Sequence, residues 1–276
     1  MKHTKLKTAF ADGIGIFVAF IVFVVPFIFM FVNSLKDRKE ANLMNLSMPS
    51  VFHWDNFVQV LTNRNGILLT AFKNSIIITL ISVVLLIISC SLAGYVLQRR
   101  RGKVTSIVSL VFLSGLMIPI SVLPTIWVLQ WLNIYKTIFG IVLVEVALQI
   151  PFTVMLYRSF VSTIPVELEE AACIDGCGRM KMFAKVIFPL LKPVTATVII
   201  LNAVTIFNDF TNPLYFLPGT KNTTVQLTLY NFMGQFQSSY NLLFADVILI
   251  TVPMLILFIV FNKRIVDGMV AGSVKG

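Results

Sequence analysis

Long uncharged apolar runs alternate with short polar stretches along this chain, and the runs have the length of membrane-crossing helices. Residues Ile14 to Val32 form the first, long enough to cross about 30 Å of hydrocarbon. Further runs cover Asn74 to Leu97, Val104 to Ile126 with Pro119 and Pro124 inside, Thr137 to Leu156, Val194 to Leu217, and Leu243 to Phe261. Six spans are predicted. Between the fourth and fifth lies the stretch Ser162 to Pro193, dense in charge. It reads as two short helices. Pro165 suits a first helical position. Glu167, Glu169 and Glu170 then crowd the positive end of the helix dipole. Gly176 suits a left-handed cap, and Arg179 to Ile187 form a second helix that stops before Pro189. An acidic helix held between spans points to a docking element rather than a linker.

Composition agrees. The 276 residues are 57% hydrophobic and 12% charged, with a mean hydropathy of +0.90, which is the profile of a polytopic all-α membrane protein. The net charge of +10 reflects basic loops at one membrane face and calls for no nucleic-acid partner. Of the 22 basic residues, 15 fall on one side. They include Lys2, Lys5 and Lys7, the cluster Arg99, Arg100, Arg101 and Lys103, five residues from Arg158 to Lys192, and the tail. Both termini and the stretch 162–193 are therefore expected in the cytoplasm. The N-terminal lysines resemble a signal-peptide start, but the apolar run is too long and no A-x-A site follows, so the first span is expected to stay uncleaved. Trp127, Trp131 and Tyr135 recur every four residues as an outer interfacial stripe.

Enzyme chemistry is poorly represented. No G-x-x-x-x-G-K-[ST] loop is present, so any ATP hydrolysis belongs to another chain. The two histidines, His3 and His53, lie outside the spans, and neither H-E-x-x-H nor G-x-S-x-G occurs. Cys173 and Cys177, four apart without a neighbouring histidine, read as packing residues rather than metal ligands. No cofactor is expected.

Within the charged stretch, Glu170-Ala171-Ala172, Gly176 and Val186-Ile187-Phe188-Pro189 resemble the EAA motif of ABC-importer permeases, E-A-A-x3-G-x9-I-x-L-P. Val186 and Phe188 replace the motif's isoleucine and leucine without altering the spacing. The resemblance runs from about Asn74 to Gly276. It includes Ala93-Gly94-Tyr95, Ile164-Pro165, Asn208-Asp209-Phe210 with Pro213-Leu214, and the closing residues Ala271 to Gly276. Together these are similar to the maltose-type sugar permeases, specifically the shorter six-span subunit of the type I importer fold. Phe207 stands where that family commonly has tryptophan.

The resemblance implies a division of labour. Residues 1–73 would supply a first span and outer loop, and 74–276 the permease core. The motif helix would be a coupling helix, received by one of two copies of a cytoplasmic ATP-binding subunit. A second permease subunit would complete a heterodimeric pathway in the bacterial cell membrane, and an extracytoplasmic binding protein would deliver the sugar. Glu167, Leu168, Glu170, Ala171, Ala172, Asp175, Gly176 and Pro189 are the coupling candidates. Leu168, Ala171, Ala172 and Asp175 share a helical face by their spacing.

Polar residues inside the apolar runs are the candidates for a substrate path. Glu145 and Gln149 lie in the fourth run, and Thr205, Asn208, Asp209 and Asn212 in the fifth. Thr205, Asn208 and Asn212 form a polar stripe on a continuous helix, or else the Asn-Asp pair caps or kinks its outer end. The turn Gly219, Thr220, Lys221, Asn222 and Thr223 looks mobile, and the resemblance implies contact there with the binding protein. A non-sugar importer is the near alternative. A secondary transporter would need repeats or paired ion-coupling charges, and no internal repeat is evident.

Overall fold

The structure is a computed structural model that describes residues 13–233 and 238–273; side chains in the last helix are described to 256, and at 259. Among the described residues every regular element is helical. In chain order these are α1 (Gly13–Ser34), α2 (Arg38–Ala41), α3 (Asp55–Arg99), α4 (Lys103–Gly115), α5 (Val122–Trp131), α6 (Ile138–Val161), α7 (Glu167–Ile174), α8 (Arg179–Leu190), α9 (Lys192–Phe207), α10 (Thr211–Phe216), α11 (Val225–Thr228) and α12 (Tyr240–Ser273). Three helices, α1, α3 and α6, are long and apolar enough to cross a membrane, and α8 with α9, bent by 74°, make a fourth crossing if taken as one. Helices α4, α5 and the Tyr240–Ile256 part of α12 are apolar but shorter.

Prolines explain most departures from the predicted runs. The run Val104 to Ile126 is divided between α4 and α5, because Pro119 removes an N–H and disfavours helical geometry at Ile118. Pro124 falls in the first turn of α5, where proline is tolerated. The Trp127–Trp131–Tyr135 stripe is also shortened: α5 ends at Trp131, and Asn133 and Lys136 take positive φ values of 58° and 63°. Proline does not stop the helix at Pro189. A π-helical turn, Phe183–Ile187, carries it through, and a second π turn, Phe20–Val24, stands the same distance ahead of Pro26. Widening the turn re-registers the ladder where proline withholds its N–H.

The described residues form two compact units, 13–69 with 227–233 and 238–253, and 70–226 with 254–273. In the first, Lys36 is fully buried. Its ammonium donates to Asn33 Oδ1 (3.1 Å), Asn45 O (2.8 Å) and Asn45 Oδ1 (2.9 Å), so all three N–H groups are used. Asn56 ties the strap to the 55–62 helical turns by donating to Ser34 O and Lys36 O, and accepts from Asn241 Nδ2 at 3.0 Å. Burial pushes the Lys36 pKa below its ordinary value, with the charge of Glu40 opposing. The segment from Asn33 to Asn45 thus folds around a buried cation, while residues 55–73, expected to be outer loop, are the first part of α3. Inside α3, Arg64, Asn65 and Gly66 take left-handed backbone angles that break its course; asparagine and glycine tolerate that region best.

The second unit is built on α6, which packs against α4, α9 and α10. Its core gathers Leu86, Ile141, Val154, Tyr157, Ile187, Leu191 and Val198, all essentially sealed. Gly94 sets the spacing of α3 and α6: a Cβ there would lie 2.7 Å from Tyr157 Cβ and 2.9 Å from the Arg158 backbone nitrogen. Only glycine permits that approach.

Candidate functional site

Helix α7 holds the acidic motif, and its ends follow from local chemistry. It starts at Glu167, so Pro165 lies just ahead of the helix rather than at its first position. Gly176 has φ +73°, and the cap closes with Gly176 N donating to Cys173 O (3.0 Å) and Cys177 N to Ala172 O (2.9 Å). Cys173 approaches Met182 Sδ at 4.0 Å, and among the described residues no cluster of metal-ligating side chains occurs.

The predicted docking face divides. Ala172 is buried, while Glu167, Leu168, Glu170, Ala171 and Asp175 are exposed. Ile174, not singled out by the motif, is 87% exposed on the same helix. A large apolar side chain so displayed on an acidic helix suits insertion into another surface.

Glu169, which the sequence marks only as one of the acids at the helix start, fastens α7 to the end of α3. Its carboxylate accepts from Arg99 Nε at 2.5 Å and from Tyr95 Oη at 2.7 Å, and Arg99 Nη2 donates to Ile164 O at 2.7 Å. The Arg99 and Glu169 side chains are only 16% and 12% exposed. Gly94 brings α3 close to α6 and Tyr95 follows it directly; the Ala93-Gly94-Tyr95 sequence was the available signal. Pro189 lies in α8, which leads to the 74° bend into α9.

The polar candidates of the fourth and fifth runs separate into two sets. Helix α9 ends at Phe207, and Asp209 Oδ1 accepts from Thr211 N (2.9 Å) and Asn212 N (3.3 Å), starting α10. The Asn-Asp pair therefore breaks the helix, and no continuous Thr205–Asn208–Asn212 stripe forms. Asn212 instead turns inward and donates to Glu145 Oε1 at 3.1 Å, and the Glu145 carboxyl also faces Asp209. Glu145 and Asn212 are buried, and Asp209 Oδ2 is buried without a donor among the described residues. Gln149, Thr205 and Asn208 lie outside this cluster; Thr205 bonds to Leu201 O and Asn208 accepts from Gln226.

The turn after α10 is less free than its composition suggests. Asn222 donates to Lys136 O (2.9 Å), and Asn74 Nδ2 donates to Thr223 O (3.0 Å). Thr223 is buried, leaving Gly219, Thr220 and Lys221 as the exposed tip.

An acidic, glycine-capped helix latched between apolar helices long enough to cross a membrane defines a polytopic membrane protein. Residues 86–270 match the family of the binding-protein-dependent transport system inner membrane component, and the chain belongs to that family. It is 34% identical over 255 residues to the melibiose/raffinose/stachyose import permease protein MelC of Bacillus subtilis, covering 91% of each chain. It is 30% identical, over the full length of both, to a probable permease for starch degradation products, AmyC, of Thermoanaerobacterium thermosulfurigenes. Its fold is similar to that of a chain from a bacterial ABC transporter importing the polysaccharide alginate, with a TM-score of 0.81, 21% identity, and 94% and 96% coverage of this chain and that one. The protein is thus a multi-pass permease component of an ABC importer in the bacterial cell membrane, not an enzyme.

Proposed function

We propose that this permease forms half of a sugar translocation pathway and receives ATP-derived motion through α7. The observation that carries the coupling is the exposed face of Glu167, Leu168, Glu170, Ala171, Ile174 and Asp175 on a helix whose opposite side is fixed by Glu169 and Ala172. A helix so anchored transmits displacement to α3 and α8 instead of yielding. The partners are a second permease subunit, two ATP-binding subunits and an extracytoplasmic sugar-binding protein met by the tip Gly219–Lys221. The likeness to permeases named for melibiose, raffinose and stachyose, and for starch products, supports a di- or oligosaccharide as cargo.

In this reading α4 and α5 together make the third of six spans and α12 the sixth, with both termini cytoplasmic. Residues 74–276 are the permease core, and 1–73 add the first span and an outer strap. The Glu145–Asp209–Asn212 cluster lines the pathway or braces α10 beside it. Glu170→Lys and Gly176→Trp are expected to uncouple ATP hydrolysis from uptake in reconstituted importer. Normal uptake with unchanged ATPase assembly in both variants refutes the coupling role, and transport by this chain alone in liposomes refutes the importer reading.

A further inference from the structure

A cavity of about 550 Å³ opens where α3 ends, between α4 and α6, and no residue of α7 lines it. It is lined by Arg100, Arg101, Gly102 and Ser106 where α3 gives way to α4, and further along α4 by Ser109, Leu110 and Leu113, with Arg158 of α6 reaching in at Ser109. Arg158 donates to Ser109 Oγ (3.1 Å) and Gln98 Oε1 (3.4 Å), both neutral. Among the described residues no carboxylate lies within 4 Å of any of the three guanidiniums. Three positive charges therefore converge on one hollow without an internal counter-ion. Its volume is that of a small-molecule site.

The lining is graded along α4. From Gly102 to Leu113 the helix rises about 16 Å, passing from guanidinium and hydroxyl groups to bare leucines. Leu110 in the lining is exposed, as are Val104, Ile107 and Val111 on another flank of α4. A soluble subunit would leave that apolar flank unmatched, whereas a lipid matches both ends at once. We propose that this cavity binds an anionic phospholipid, its phosphate held by Arg100, Arg101 and Arg158 and an acyl chain lying on Leu110 and Leu113. Basic pockets between spans on the cytoplasmic side recognise such headgroups. The leaflet rests on the orientation proposed above; the site itself does not.

The test is native mass spectrometry of the purified full importer released from membranes containing phosphatidylglycerol and phosphatidylcholine. Phosphatidylglycerol is expected to be retained preferentially, and Arg100→Gln/Arg101→Gln to lower its retention about thirtyfold, at about 1 kcal/mol for each basic residue near the surface. Lys103→Gln, a neighbouring charge outside the lining, lowers retention less than either arginine substitution alone, and Leu110→Gln lowers retention of the diacyl lipid while sparing glycerophosphate. Equal retention of both lipids overturns the proposal, as does full displacement of the lipid by millimolar inorganic phosphate. It is also overturned if the double variant sheds the ATP-binding subunit with lipid retention intact. Uptake assays run alongside report on transport separately, so loss of sugar import with lipid retained counts against the function and not against this site.

Discussion

Removing Glu169 should free the coupling helix while leaving its exposed residues intact. The carboxylate accepts from Arg99 Nε and Tyr95 Oη. Hydrogen bonds to charged groups contribute about 1.5–3 kcal/mol each. The side chains are 16% and 12% exposed, so solvent screens part of this, leaving about 3 kcal/mol for the latch as a whole. Glu169→Ala should then raise the opening equilibrium of α7 about 150-fold. Glu169→Gln retains an acceptor for Tyr95 and loses the charge, so about tenfold is expected. Hydrogen exchange at the amides of Ala171 to Cys177 in the assembled importer reads this opening directly. Arg99→Gln combined with Glu169→Gln should cost less than the sum of the two, because the pair is already broken in each. Protection within about twofold of wild type in Glu169→Ala would show that α7 is held by something other than this latch.

Three further outcomes follow from the geometry. Gly94→Val drives a side chain into Tyr157 and the Arg158 backbone, so an apparent unfolding temperature in detergent should fall by the equivalent of about 3 kcal/mol or more. Gly176→Ala meets nothing within 4 Å but keeps φ +73°, so its cost is confined to backbone strain of about 1–2 kcal/mol, measured in the same assay. Lys36 has a folded pKa lowered from 10.5 by burial. Between those two values the unfolded chain binds more protons, so stability should rise as pH rises towards 10.5, and Lys36→Met should flatten that slope in thermal scans.

Features governed by short-range rules were legible in the sequence. The cap at Gly176, the acidic start of α7 and the inward position of Glu145 each follow from one residue type in one local context. Proline was legible only in part: its missing N–H predicts disturbance, yet the chain broke at Pro119, widened before Pro26 and Pro189, and continued through Pro151. Which response occurs depends on packing, and that is not local. The latch was illegible for the same reason, since Arg99 and Glu169 are seventy residues apart, the one reading as part of a basic loop cluster and the other as an acid favoured by the helix dipole. The 33–73 stretch reads as a polar loop, yet Asp55 to Lys73 is the first part of α3, broken at Arg64 to Gly66, and only the segment before it is organised around a buried lysine held by Asn33 and Asn45.

The 74° angle between α8 and α9 also determines how displacement is transmitted. Helix α8 is about 18 Å long. If the joint at Leu191 is held by its fully buried side chain, a thrust along α8 reaches α9 with only about a quarter of its length directed down the α9 axis. The remainder acts across α9. On the proposed coupling, motion entering at α7 would be converted from a push into a tilt, the kind of movement that narrows one mouth of a channel as it widens the other.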